Sequence, residues 1–332
     1  MNLLTRKIVL TWLYLCAGLV FAMVLVGGVT RLTESGLSIV EWKPFTGILP
    51  PIGQTSWEAE FAAYKTSPQY QKVNQGMSLA DFQGIFWLEY LHRLLGRLVG
   101  MVFLVPLLFF SVRKNSLVNL PRMWLIATLV GLQGLVGWYM VKSGLVDIPA
   151  VSPYRLGLHL GLAELIFALV LWEIFRLTKC TQLVFNGGDK IKLLAQITTF
   201  SVVIQMFLGA LVAGLRAGLT YNSFPLMDGD FIPHGIFIDH IATAQFFHRW
   251  FAFLAAALVL SQAAYLWRIN AEKLALALIL IVTTQISLGI ATLLLAVPVA
   301  LASIHQVMAF ILLGFCLRVN YIIAVQPKLE GK

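Results

Sequence analysis

Hydrophobic positions gather into eight long blocks, near residues 9–30, 84–110, 121–141, 156–177, 192–215, 241–267, 273–295 and 300–323, with shorter polar stretches between them. Each block can cross a hydrocarbon core of roughly 30 Å, which takes about 20 residues of helix. With no water to bond the backbone inside a bilayer, such blocks must be helical. The expected fold class is an all-α polytopic membrane protein with eight transmembrane helices. Between the first two blocks, from Leu32 to Gln83, the chain is too long for a bare connection and should carry structure of its own. Two capping-box patterns mark helix starts there. Thr55-Ser56-Trp57-Glu58 opens a short amphipathic helix, and Ser78-Leu79-Ala80-Asp81 opens the second membrane helix.

The blocks repeat as a set. Ser35-Gly36-Leu37 with Pro44 returns as Ala217-Gly218-Leu219 with Pro225, and His92-Arg93 returns as His248-Arg249. Gln133 and Gly137 return as Gln285 and Gly289, while Pro153 and His159 return as Pro298 and His305. This order predicts two domains, residues 1–184 and 185–332, joined through the turn-rich Asn186-Gly187-Gly188-Asp189. Four helices per half put both halves into the membrane the same way up, as two pseudo-symmetric four-helix bundles related by an axis along the membrane normal.

Composition confirms the class and sharpens the orientation. The chain is 59% hydrophobic and only 12% charged, outside the balance of a soluble globular protein. Its net charge of +9 is no footprint of nucleic-acid binding, because the basic residues sort by loop. The side holding Arg6, Lys7, Arg113, Lys114, Lys190 and Arg268 carries twice the Lys and Arg of the side holding Arg31, Lys43, Lys65 and Lys142. The positive-inside rule then makes both termini cytoplasmic, with a bacterial inner membrane as the setting. The first apolar block has no small-residue cleavage site and is expected to stay. Cys16 and Cys316 lie in apolar blocks and Cys180 in a cytoplasmic loop, so none can form an outer-side disulfide.

The candidate chemistry centres on Phe86 to Arg97, where an acid, an imidazole and two guanidinium groups open a long apolar helix. At about 3.6 residues per turn Glu89, His92, Arg93 and Gly96 share one face. Ionisable groups at membrane depth are costly and mark functional sites. Four of the six histidines, His92, His159, His248 and His305, lie in apolar helices near the end that starts from the outer face. A single such histidine is as readily an interhelical hydrogen bond. Four placed by a repeat, two per half, suit haem iron, which takes one axial ligand from each side. A tetrahedral zinc site would need four ligands at one point, and these pairs belong to separate bundles. A small residue follows each histidine by four, namely Gly96, Ala163, Ala252 and Ala309, clearing a face for a macrocycle or serving helix packing.

The halves differ three residues before the histidine, with Glu89 in the first and Gln245 in the second. Glu can transfer a proton and Gln cannot, so chemistry is assigned to the first half and electron transfer or a structural haem to the second. The plain alternative for Glu89 is an ion pair with Arg93 one turn away. Arg93 and Arg249 are candidates for steering haem propionates or for supporting the ligands from behind. His234 and His240, beside Asp228, Asp230 and Asp239, read as a solvated outer loop in preference to a metal site.

Several stretches resemble one family. Gly28-Val29-Thr30-Arg31-Leu32-Thr33-Glu34-Ser35-Gly36-Leu37-Ser38, Glu89-Tyr90-Leu91-His92-Arg93, Ser152-Pro153-Tyr154-Arg155, Gly214-Leu215-Arg216-Ala217-Gly218, Phe224-Pro225-Leu226-Met227 and His305-Gln306 are similar to haem A synthase, in particular its mitochondrial and alphaproteobacterial branch. The resemblance covers nearly the whole chain. It implies oxidation of the C8 methyl of haem O to a formyl group by two hydroxylations, the geminal diol losing water. It also implies Glu89 with His92 and His159 at the substrate haem, and a haem b cofactor on His248 and His305. The outer-loop cysteine pair common in the other branch is absent from this sequence. The resemblance makes hand-off of haem O from haem O synthase, the protohaem farnesyltransferase, a natural partnership. The electron donor, the source of oxygen and any homo-oligomer stay open. Two competing readings keep the histidines: a non-catalytic dihaem electron carrier, which has no use for Glu89, and a transporter with histidine proton relays.

Overall fold

The computed structural model of the chain describes residues 3–43, 46–114, 116–146, 148–178 and 188–325. Pro44, Cys180 and the expected domain joint at Asn186-Gly187 lie outside the described residues. Among the described residues ten α-helices follow in order: α1 (Leu3–Leu32), α2 (Gln54–Lys65), α3 (Pro68–Lys72), α4 (Leu79–Val112), α5 (Leu120–Lys142), α6 (Pro153–Thr178), α7 (Gly188–Leu215), α8 (His240–Arg268), α9 (Glu272–Leu294) and α10 (Val299–Ala324). Among the described residues there is no strand, only an isolated bridge between Met227 and Asp230. Eight of the helices, all but α2 and α3, are long and apolar enough to span a membrane, and they coincide with the eight sequence blocks. On α4 the residues Leu104, Val105, Leu108 and Phe109 are exposed, as suits a face turned to lipid.

The helices gather into two compact units. One holds residues 1–17 and 164–332. In it α7 packs on α8, α8 on α9, α9 on α10 and α10 back on α7, a closed four-helix ring. Lipid gives helices no hydrophobic reason to associate, so fit and polar bonds do the holding. Asn320 Nδ2 donates to Ala195 O at 2.9 Å, tying α10 to α7. The later part of α6 joins α10 through Phe167 against Phe310 and Trp172 against Tyr321, with ring centroids 5.4 and 5.1 Å apart. Arg6 Nε donates to Leu177 O at 2.9 Å, holding α1 to α6.

The other unit spans residues 18–163. At about 1.5 Å per residue the 34 residues of α4 are more than a hydrocarbon core of roughly 30 Å requires, which leaves its first turns free for other packing. There they build a small aromatic core with α2 and α3. Phe82 stacks between Phe61 and Tyr64 at 5.0 and 5.1 Å, and Tyr64 and Phe82 are fully buried. Tyr64 Oη donates to Gln69 Oε1 at 3.1 Å, and Gln69 Nε2 donates to Glu34 O at 2.8 Å, which anchors the end of α1. The segment expected to carry structure therefore does.

Of the two capping boxes, the second holds. Ser78 Oγ accepts from Asp81 N and donates to Asp81 Oδ2 at 2.6 Å. The first is misplaced: α2 starts at Gln54, after Gly53 at φ 78°, and no side chain caps it. A left-handed residue that glycine adopts freely turns the chain into the helix, and Thr55 sits inside it. Phe82→Ala should cost this outer core about 3–5 kcal/mol and raise amide hydrogen exchange across α2 while the deep helices stay protected. Unchanged exchange in α2 would mean that the aromatic cluster is not what holds it.

Candidate functional site

One face of α4 straps the outer segment after α1 onto the helix. Glu89, only 3% exposed, accepts at Oε2 from Ser38 Oγ at 2.7 Å and from Ile39 N at 2.8 Å. Its Oε1 accepts from Arg93 Nε at 3.0 Å and Arg93 Nη2 at 2.6 Å. Arg93 goes on to Ile39 O at 2.8 Å and Glu41 O at 3.2 Å, and one turn later Arg97 Nη2 donates to Lys43 O at 2.8 Å. Tyr90 Oη donates to Ile48 O. Lys43 pairs with Glu41 at 2.8 Å and Glu60 at 3.0 Å, and those hydrogen bonds raise its ammonium above the ordinary lysine value. The carboxyl of Glu89 is thus the buried knot of the strap, with His92 one turn along the same helix.

The later half ties a similar knot with two changes. Arg249 Nη2 donates to Tyr221 O at 3.0 Å, as Arg93 Nη2 does to Ile39 O, and Arg249 Nη1 reaches Leu226 O at 2.9 Å. Gln245 replaces the carboxylate and reverses the polarity of the loop contact: its Nε2 donates to Tyr221 O at 3.0 Å, where Glu89 takes an N–H. The position of Arg97 is filled by Phe253, which stacks on Phe224 at 6.3 Å. Both arginines therefore place Nη donors on loop carbonyls.

Each intramembrane histidine lies against a glycine of the preceding membrane helix. A Cβ at Gly27, Gly137, Gly209 or Gly289 would stand 3.0, 3.0, 3.1 and 2.9 Å from Cε1 of His92, His159, His248 and His305 respectively. Any side chain there would displace the ring. Three of these glycines follow a glutamine by four residues: Gln133, Gln205 and Gln285. Gln133 Nε2 donates to His159 O at 3.0 Å and lies 3.3 Å from His159 Nε2. Gln205 Nε2 donates to His248 O at 2.9 Å and lies 3.0 Å from His248 Nδ1. His305 Nδ1 is 3.1 Å from Gln285 O. The fourth position is Met23, whose Cε stands 3.9 Å from where a Cβ of Gly96 would be, so Gly96 serves the α1–α4 contact.

Comparison with known proteins places this architecture. The model of the COX15-CtaA family, described as cytochrome oxidase assembly protein, matches residues 10–317. A protein of Nitrosospira multiformis named "Heme A synthase" is 47% identical over 95% of this chain and 93% of its own length. Proteins of the same name from a Bradyrhizobium species and from Rickettsia bellii are 47% and 42% identical, over 92% and 93% of this chain and 88% and 96% of their own. The chain belongs to the COX15-CtaA family. Its relatives include alphaproteobacterial members, the branch that the sequence motifs resemble.

A haem-binding member of this family needs axial nitrogens with room beside them, and the residues present fit. All four histidines are partly buried. The buried Nδ1 atoms of His92 and His159 have no hydrogen-bond partner, nor do Oε1 of Gln133, Gln205 and Gln285. The Nδ1 of His305 is set to donate to the Gln285 carbonyl, which would leave Nε2 free for a metal. His234 and His240 are exposed, and Asp239 caps α8 by accepting from Ile241 N at 2.8 Å. Among the described residues no three His, Cys, Asp or Glu side chains cluster for a metal ion.

Sequence reasoning missed Ser38, Gln205, Gly209 and the packing role of Gly27. The thrice-repeated Gln-x-x-x-Gly spacing is the signal that could have found two of them. Arg93→Met, which strips a buried carboxylate of its cation, should destabilise the protein by about 3–5 kcal/mol. Adding Glu89→Gln, the residue that the second half uses, should restore most of the thermal stability measured in detergent; no recovery would mean that the pair is not the source of the loss.

Proposed function

We propose that the chain acts as a haem A synthase, a membrane oxidoreductase that converts haem O to haem A by oxidising the C8 methyl to a formyl group. One observation carries this reading: matches spanning over nine-tenths of the chain to proteins of that name. In the proposed division His92 and His159 hold the substrate haem, and His248 and His305 hold a haem b cofactor. The domain division at 184/185, the inner membrane and the cytoplasmic termini belong to the same proposal, supported by the repeat and by the loop distribution of Lys and Arg. So does hand-off of substrate from haem O synthase. A dihaem carrier is disfavoured by what the relatives are named, and by Glu89 itself.

Bound haem supplies the redox-active iron that oxidation of an unactivated methyl group requires. The protein supplies position and protons. Glycine-backed imidazoles fix the ligand rings, and the strap closes the outer side over His92. Ser38 Oγ lies 2.7 Å from Glu89 Oε2 and 3.3 Å from Ile85 O. Its hydroxyl can therefore turn to the carbonyl and accept from Glu89 when the carboxyl carries a proton. That switch lets one carboxyl both release and receive a proton without leaving its pocket. Loss of water from a geminal diol needs both acts, a proton taken from one hydroxyl and one given to the other. Arg93 and Arg249 act as positioning residues for the straps.

Expressed in cells that supply haem O, the protein should accumulate haem A in its extracted pigment; unchanged haem O would favour the carrier. Glu89→Gln should lower haem A formation by two orders of magnitude or more, on the order of the ~10²–10⁴-fold that general acid–base groups contribute, with haem content retained. Full activity in that variant would remove Glu89 from the chemistry. His248→Ala should lose the b-type absorbance, and its retention would move that cofactor elsewhere.

A further inference from the structure

The outer loops of the two halves are tied to α4 and to α8 in similar ways, but only the later loop is also tied to the helix that follows. Counting from Ser35-Gly36-Leu37 and Ala217-Gly218-Leu219, Val40 stands where the second half has Asn222. Asn222 Nδ2 donates to Gly218 O at 2.8 Å and, across the seam, to Leu293 O in the last turn of α9 at 2.7 Å. Val40 has no side-chain donor to give. Among the described residues, the hydrogen bonds that leave the stretch 35–43 run to α1, to α4 and to Glu60 on α2, and none reaches α5. The matching carbonyl is nevertheless in place, since Val141 O accepts from Gly144 N as Leu293 O accepts from Ala296 N.

Otherwise the two seams share one tight apolar contact each. Leu37 stands 2.8 Å from a virtual Cβ on Gly144, and Val297 stands 2.9 Å from one on Gly218. The rest of the first seam is two half-open indoles, Trp42 on the strap and Trp138 on α5, with ring centroids 6.4 Å apart and 46% and 36% of their surface exposed. Lys142 sets its ammonium 5.2 Å over the Trp138 ring. In the second half the residue matching Trp42 is Phe224, which turns back to Phe253 on α8.

We propose that the seam between the strap and α5 is the port through which the substrate porphyrin enters and its product leaves, and that Asn222 shuts the matching seam over the haem that stays. A substrate must come and go while a cofactor must not, so the same joint is left untied in one half and bonded in the other. His92 and the knotted strap belong to α4, and the glycine behind His159 belongs to α5. Parting the strap from α5 therefore gives access to the space between those two ligands without untying Glu89. Haem is an apolar disc with two carboxylates on one edge, and the carboxylates are the costly part to bury. Passing from the outer side keeps that edge near water. Indole faces suit the disc, and the Lys142 ammonium suits a carboxylate.

This inference rests on the proposed function, since it needs haem at both histidine pairs. The test reads haem release instead of turnover. Protein purified from cells supplying haem O is mixed with excess apomyoglobin, which captures freed haem, and the pigment remaining on the membrane protein is extracted over time. From the wild-type protein haem O and haem A should leave faster than haem b. Val40→Asn, which offers Val141 O the missing amide, should slow their release roughly two- to ten-fold, the range set by one net hydrogen bond, with haem b release unchanged. Asn222→Val should speed haem b release by a similar factor without touching the other pigment, and it decides the matter alone if the first variant does not accumulate. Haem b leaving as fast as haem O in the wild type, or release rates unmoved by the substitutions, overturns the inference and leaves the function standing. Pigment lacking both haem O and haem A overturns the function and takes the inference with it.

Discussion

Each of the four intramembrane imidazoles occupies space that one methyl group on the facing helix would fill. That contact, glycine backbone against histidine ring at 2.9 to 3.1 Å from a virtual Cβ, recurs in α1–α4, α5–α6, α7–α8 and α9–α10. Helices in lipid gain nothing from hiding apolar surface from one another, so close approach at small residues is how they find a register. Here the register and the ligand share one contact. A ring whose Cε1 is pressed against a backbone loses its freedom to swing, and a metal that binds it would meet a ligand already oriented. Four such contacts hold four imidazoles in place among helices with few polar groups.

Upon this repeated frame the halves diverge through single side chains. Glu89 and Gln245 occupy equivalent positions, and Arg93 and Arg249 both bind the carbonyl of the equivalent loop residue, Ile39 or Tyr221. An amide suffices to hold the loop, as Gln245 demonstrates. The carboxylate therefore offers more than structure requires: two acceptor oxygens and a hydroxyl neighbour that can reverse its bond. Met23 in place of a fourth glutamine is the second divergence. Both fall on the first half, and both touch the surroundings of His92.

The eight spans were legible because length and hydropathy alone decide what can cross a bilayer, and the helix ends moved by only a few residues. The four histidines were legible because ionisable groups are rare at that depth. The Ser78 cap was readable as a local pattern, whereas Thr55 failed because a glycine with positive φ began the helix first. The ion pair of Glu89 with Arg93 follows from helical spacing. Its bonds to Ser38 and Ile39 do not, since they depend on a segment some fifty positions away folding back over α4. Gly96 stayed ambiguous for a related reason: a small residue beside a histidine can clear space for a cofactor or for a neighbouring helix, and the position of Met23 shows the helix contact.

The claim beneath all of this is that imidazole pairs seated on glycine grip tetrapyrrole. A density map of the protein purified with its own pigment tests it most directly. The account predicts one haem between His92 and His159 and another between His248 and His305, with Cε1 of each ring still against its glycine. Tetrapyrrole density elsewhere, or histidine rings turned away from it, would contradict the account.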